Sequence, residues 1–241
     1  MSLYLAIDTA TAIGSVALGG PGRLVAETTI GGRRQAAGLV PAVLELLRGA
    51  GRRLEDLSGI VLADGPGSFT GLRIGFATAK GLLRERPGLE LHRAPSLMGC
   101  AWIGARFTDG TVAALFDALR GEVFAAAYAF SEIEVRVVLP PTLATIPQLR
   151  AGGPRPALVV GDGAVTYADE VIQWTGRAPV GPPWGGPRAA ALLELLAVGG
   201  ATELVPSPFD VEPVYGRAPA AQTRWEERHG QPLSDPGSHA R

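Results

Sequence analysis

Residues 65–75 read Gly-Pro-Gly-Ser-Phe-Thr-Gly-Leu-Arg-Ile-Gly, and they restrict the fold more than any other stretch of the chain. An apolar run, Ile60-Val61-Leu62-Ala63, leads in, and a helical pattern over 74–83 leads out. Strand, glycine turn and helix together gather free backbone N–H groups at a helix N-terminus. Such a turn either holds an anion or makes a tight corner. A phosphate loop of the Walker A type needs a Lys-Ser or Lys-Thr pair directly after its last glycine. Here Leu72-Arg73 follows Gly71, and Pro66 removes one donor. Ser68 or Thr70 is placed to cap the helix, which leaves a phosphate cradle open as the alternative. We therefore read Gly65, Pro66, Gly67, Ser68, Thr70 and Arg73 as a structural loop.

The helix after the loop carries small residues at every fourth position, Gly71, Gly75 and Ala79. A small-residue stripe suits close approach of another helix. The earlier pattern over 33–48 is apolar around most of its circumference, with Pro41 in its first turn or at a kink and Gly49 and Gly51 as its stop. A surface helix of a single domain normally shows one stripe. Two neighbouring helices with surplus apolar surface point to a partner interface, or equally to a pair buried inside the chain. The interface residues on this reading are Leu39, Val40, Val43, Leu47, Gly71, Leu72, Gly75 and Ala79.

Strands over 3–7, 15–18 and 23–28, a helix, a strand over 57–63 and the glycine-loop helix give the order β-β-β-α-β-α. A doubly wound nucleotide fold alternates strand and helix from its start, so this is not one. The second half begins alike: strands over 111–116, 123–130, 135–139 and 157–160, then helices near 167–174 and 188–198. The expected organisation is an α/β chain with one lobe over 1–100 and another over 101–204. Residues 205–241 read as a proline-rich strap and a mobile polar tail.

Asp8 and Asp117 each end a buried strand and open a turn. Each suits an Asx-turn, the favoured reading, or a carboxylate that orders a metal–phosphate complex. Gly161 and Gly163 allow a base or ribose to approach closely, or simply form a strand-to-helix turn. Asp8, Asp117, Gly161 and Gly163 thus mark a candidate nucleotide cleft. Twenty-two basic against 23 acidic side chains give no global field to draw nucleic acid or anionic lipid. One cysteine, Cys100, and histidines at 92, 229 and 239 with no His-x-x-x-His pair argue for no metal site. The first eight residues lack a basic region, and apolar runs such as 189–198 are too short to span a bilayer, so a cytoplasmic protein without a membrane partner is expected.

Six segments, in order, resemble the bacterial tRNA threonylcarbamoyladenosine biosynthesis protein TsaB (YeaZ) family. They are Ala6-Ile7-Asp8-Thr9-Ala10-Thr11; residues 65–82; Ala94-Pro95-Ser96-Leu97; Arg120-Gly121-Glu122-Val123-Phe124; Gly161-Asp162-Gly163-Ala164; and Glu212-Pro213-Val214-Tyr215-Gly216-Arg217. The resemblance implies an actin-like (ribonuclease H-like) two-lobed fold. It implies a non-catalytic subunit that pairs with the metal-containing paralogue TsaD and the ATPase TsaE, and that reaches tRNA through the complex. The partner interface would lie on the first two helices, which also offer a homodimer surface when the protein is alone. No cofactor of its own is implied, although the complex interface has room for ATP or ADP. The chain departs from the family at Ala36-Ala37, where a histidine and a serine are usual, and at Leu119, where an arginine is usual. The rival readings are an ATP-dependent enzyme with its own nucleotide site and a sialoglycoprotease-type peptidase.

Overall fold

The computed structural model describes residues 2–31, 35–131, 133–182, 184–217 and 228. β1 (Tyr4–Asp8), β2 (Ile13–Gly20) and β3 (Arg23–Gly31) form an antiparallel meander. α1 (Gln35–Gly49), β4 (Gly59–Ala63), α2 (Phe69–Glu85) and β5 (Glu90–Ala94) follow. β4 pairs parallel with β1 and β5 pairs parallel with β4, the geometry that helical crossovers impose. Every residue of β1 and β4 is buried, which explains why both read as continuous apolar runs. α2 starts at Phe69 and Ser68 caps it, its side chain accepting from the Gly71 N–H at 3.2 Å. Pro41 lies inside α1, on its exposed side.

The second sheet is built from β6 (Val112–Asp117), β7 (Val123–Phe130), β8 (Val135–Ala144) and β9 (Leu158–Val160), in the order β8-β7-β6-β9. β8 runs through Pro140 and Pro141, which an edge strand tolerates. Its helices are α3 (Ser96–Gly104), α4 (Ile146–Gly152), α5 (Asp162–Thr166) and α6 (Ala168–Thr175). Residues assigned from sequence to this lobe then return to the first. α7 (Ala189–Leu195) packs on β1, β2 and β3, and β10 (Glu203–Leu204) pairs antiparallel with β5. The first sheet thereby reads β10-β5-β4-β1-β2-β3. Two mixed sheets, each an antiparallel meander extended by parallel strands, make this the two-lobed actin-like fold. The boundary near residue 100 does not separate the lobes, because the first lobe is completed from 189–204.

Residues 205–217, expected to be a strap, lie partly along α2. Phe209 faces the Arg84 guanidinium at 5.7 Å, Glu212 accepts from Lys80 at 3.2 Å, and the Tyr215 hydroxyl accepts from Arg73 Nε at 3.1 Å. The strap therefore runs antiparallel to the helix. Val214 N–H donates to the Asp64 carbonyl at 2.8 Å, and Arg217 pairs with Glu122 in the second lobe. The mobile tail expected beyond residue 217 falls, apart from Arg228, outside the described residues.

The other face of α2 is buried in this chain, which corrects the expected partner surface. A Cβ on Gly71 would lie 2.0 Å from the Thr9 carbonyl oxygen, and one on Gly75 would lie 2.5 Å from Thr9 Oγ1. Leu39, Val43 and Leu47 of α1 join Phe76, Ala79 and Leu83 of α2 in one core beneath the first sheet, and Leu72 is fully buried towards the second lobe. Of the eight residues expected at a partner surface, only Val40 is exposed. The small-residue stripe serves a strand end and not a second protein.

Gly71→Ala should cost about 3 kcal/mol, because its methyl meets backbone that cannot yield. Gly81→Ala, where nothing lies within 4 Å, should gain about 1 kcal/mol from helix propensity. Urea denaturation of the two variants checks the contrast.

Candidate functional site: the inter-lobe cleft and the outer helix face

β1 and β6 carry Asp8 and Asp117 to matching places, each at the mouth of a hairpin. Both carboxylates hold their own turns. Asp8 Oδ1 accepts from the Ala10 N–H at 3.0 Å; Asp117 Oδ1 accepts from the Leu119 N–H at 2.8 Å and from the Tyr167 hydroxyl at 3.2 Å. This is the Asx-turn reading of both residues. The second hairpin turns through Leu119 (φ 65°) and Arg120 (φ 59°), left-handed positions that glycine would fill with less strain.

Gly161 and Gly163 face protein and not an open cleft. A Cβ on Gly161 (φ 111°) would lie 2.1 Å from the Leu115 carbonyl oxygen; one on Gly163 would lie 2.7 Å from the Asp117 amide nitrogen. They let the β9–α5 corner close on β6, which removes them from the candidate nucleotide site. The carboxylate between them, Asp162, accepts from Asp117 N–H at 3.3 Å and Gly163 N–H at 2.9 Å, both at Oδ1.

Sequence reasoning passed over the groups on the first-lobe side of the cleft. Glu27 on β3 is nearly buried, pairs with Arg188 and accepts from the Ala190 N–H at 3.0 Å. Ser15 Oγ accepts from the Ala189 N–H at 2.7 Å. The first N–H groups of α7 are thus taken by this chain's own side chains. A glutamate in the middle of β3 and an arginine directly before a helix were the available signals.

Burial raises the Asp8 carboxyl to about 6, its bond from Ala10 acting the other way and the Glu27 charge adding to the rise. Its Oδ2 is buried without a hydrogen-bond partner among the described residues. Asp64, at the end of β4, is also raised to about 6 by burial, against the pull of Arg93 at 3.8 Å. Burial pushes the Cys100 thiol well up, as expected for an inert cysteine. Among the described residues no group of three or more His, Cys, Asp and Glu side chains could hold a metal ion. No helix among them is long and apolar enough to cross a membrane.

Two of the exposed large apolar side chains, Val40 and Leu44, lie on α1. They are 46% and 57% exposed, flanked by exposed Ala36, Ala37 and Pro41. On α2, Thr70, Ala77 and Gly81 are exposed and Ile74 and Thr78 are half-buried, Ile74 packing against the core. The spacing of these α2 residues was present in the sequence, one helical step round from the stripe first selected.

The protein-family model for TsaD, tRNA N6-adenosine threonylcarbamoyltransferase, matches residues 29–157. The tRNA threonylcarbamoyladenosine biosynthesis protein TsaB of Escherichia coli is 38% identical over 127 residues, 52% of this chain and 54% of that protein. TsaB of Bacillus subtilis is 36% identical over 137 residues, 56% of this chain and 59% of that protein. The chain therefore spans little more than half the length of these curated relatives. The solved structure of YeaZ from Pseudomonas aeruginosa superposes with a TM-score of 0.71 at 28% identity, covering 89% of this chain and 100% of that one.

The buried carboxylates predict a pH dependence. Asp8 and Asp64 have folded values of about 6 against an ordinary 3.8, so their contribution to stability is fully present below about 3.8 and is lost as pH rises through about 6. Asp8→Asn keeps the bond from Ala10 and removes the charge. It should raise stability at pH 8 by about 2 kcal/mol and, over the range from pH 4 to pH 8, flatten the loss that falls mainly below about pH 6. Urea melts across that range check it.

Proposed function

The chain belongs to the TsaB (YeaZ) family, and on that premise we propose that it is a non-catalytic subunit in the formation of N6-threonylcarbamoyladenosine on tRNA. It pairs with a TsaD-type catalytic paralogue, and the TsaE ATPase joins the pair. The observation that carries this reading is the outward side of the helix pair, where Val40 and Leu44 of α1 stand 46% and 57% exposed and Ala77 and Gly81 of α2 are exposed as well. Leucine and valine on adjacent turns, together with exposed alanine and glycine, let a second helix pack at short distance. The residues first named for docking hold the fold, and the docking surface is the opposite side of the same two helices.

The rival reading, an ATP-dependent enzyme, asks Asp8 and Asp117 to order a metal nucleotide. Both are tied to N–H groups of their own hairpins, and the nearest helix N-terminus is capped by Ser15 and Glu27. These contacts support the subunit reading.

Val40→Asp with Leu44→Asp should weaken capture of the TsaD-type paralogue at least about a hundredfold. Both side chains are exposed, so the melting temperature of the isolated protein should stay unchanged. Co-purification and a thermal melt measure the two effects. Unchanged capture would mean that the docking face lies elsewhere. By contrast, Leu39→Asp should unfold the first lobe, since Leu39 has no exposure at all.

A further inference from the structure

A cavity among the described residues lies between the first hairpin and residues 182 and 184–188, and its walls define a ligand. It encloses about 380 Å³ and is mostly apolar. Ile13, Pro182, Trp184 and Pro187 face it, and Asp162 and Arg188 supply charge. Ile13 and Trp184 are 48% and 64% exposed, and both line the cavity. An indole beside a branched aliphatic chain suits a flat ring.

The polar groups are unequal. Asp162 Oδ1 already accepts two backbone N–H groups, whereas no donor among the described residues reaches Oδ2. Arg188 is held by the Glu27 carboxylate. The α7 amides that would otherwise meet an anion are bonded to Ser15 and Glu27. Asp8 lies near enough to Glu27 for that charge to add to the rise of the Asp8 carboxyl. The cavity therefore offers an acceptor at Asp162, and its one cation, Arg188, is already paired with the Glu27 carboxylate. A phosphate placed here would compete with Glu27 for Arg188 and would face the Asp162 carboxylate.

We propose that this cavity is a binding site for a planar ring that carries an amino or amidino group and no phosphate. The ring stacks between Trp184 and Ile13, and its N–H group donates to Asp162 Oδ2. The volume holds a ring of one or two fused cycles. This site is on the cleft side of the first lobe, away from α1 and α2, and does not depend on the docking face.

The test is calorimetric titration of the full chain with adenine, benzamidine and AMP. Adenine and benzamidine should bind saturably, and AMP at least about tenfold more weakly than adenine. Trp184→Ala and Asp162→Asn should each weaken adenine and benzamidine at least about tenfold. The alanine stands at an exposed position, and the asparagine keeps the Oδ1 acceptor that the fold uses. Circular dichroism confirms that each variant is folded. Three results overturn the proposal: no heat with either amine at millimolar concentration, AMP binding as tightly as adenine, or folded variants that bind as the parent does.

Discussion

Backbone at Ala10 and Thr9 lies against the bare Cα atoms of Gly67 and Gly71, the Thr9 side chain lies against Gly75, and the arrangement of the first lobe follows from those contacts. Three added methyls would stand 2.3, 2.0 and 2.5 Å from atoms of these two residues. The Ser68 N–H donates to the Ala10 carbonyl at 2.7 Å and locks the corner to the hairpin. α2 is thereby fixed in direction before any side chain packs. α1 then buries Leu39, Val43 and Leu47 against it, the strap lies along a second side, and a third side is left facing outwards. The loop that could have cradled phosphate instead presents its glycines to a strand end.

The second lobe repeats the device with other residues. Gly65 and Gly161 both follow a parallel strand, both have φ near 115°, and both open a helix. At Gly161 and Gly163 the bare Cα atoms admit the end of β6, as Gly67 and Gly71 admit the turn after β1. Each lobe closes its corner on the segment that carries its aspartate. That shared geometry explains how Asp8 and Asp117 come to hold turns, and it makes the two halves alike in construction where their sequences are not.

What the residues disclosed follows how locally each element is determined. The strand–glycine–helix unit and the paired meanders were legible, because turn chemistry and apolar runs lie within a few residues of each other. α3 was not: eight of its nine residues are buried between α7 and the second sheet, so it has no polar face and no period to read. α7 and β10 were given to the wrong lobe because nothing local says which sheet a short apolar helix will meet. The small-residue stripe was seen correctly and placed on the wrong side. Periodicity names a face, but only packing says whether that face looks inwards. Glu27 and Arg188 escaped notice for a related reason, since 161 positions separate the two members of their ion pair.

The strap also sets an order in time. Residues 189–217 supply the last helix and edge strand of the first lobe, together with the clasp along α2. A ribosome releases those residues only after the whole second lobe has been made. Until then Ser15 and Glu27 stand at an uncovered sheet face, without the amides they later cap. The lobe that begins first during synthesis is therefore the lobe that finishes last.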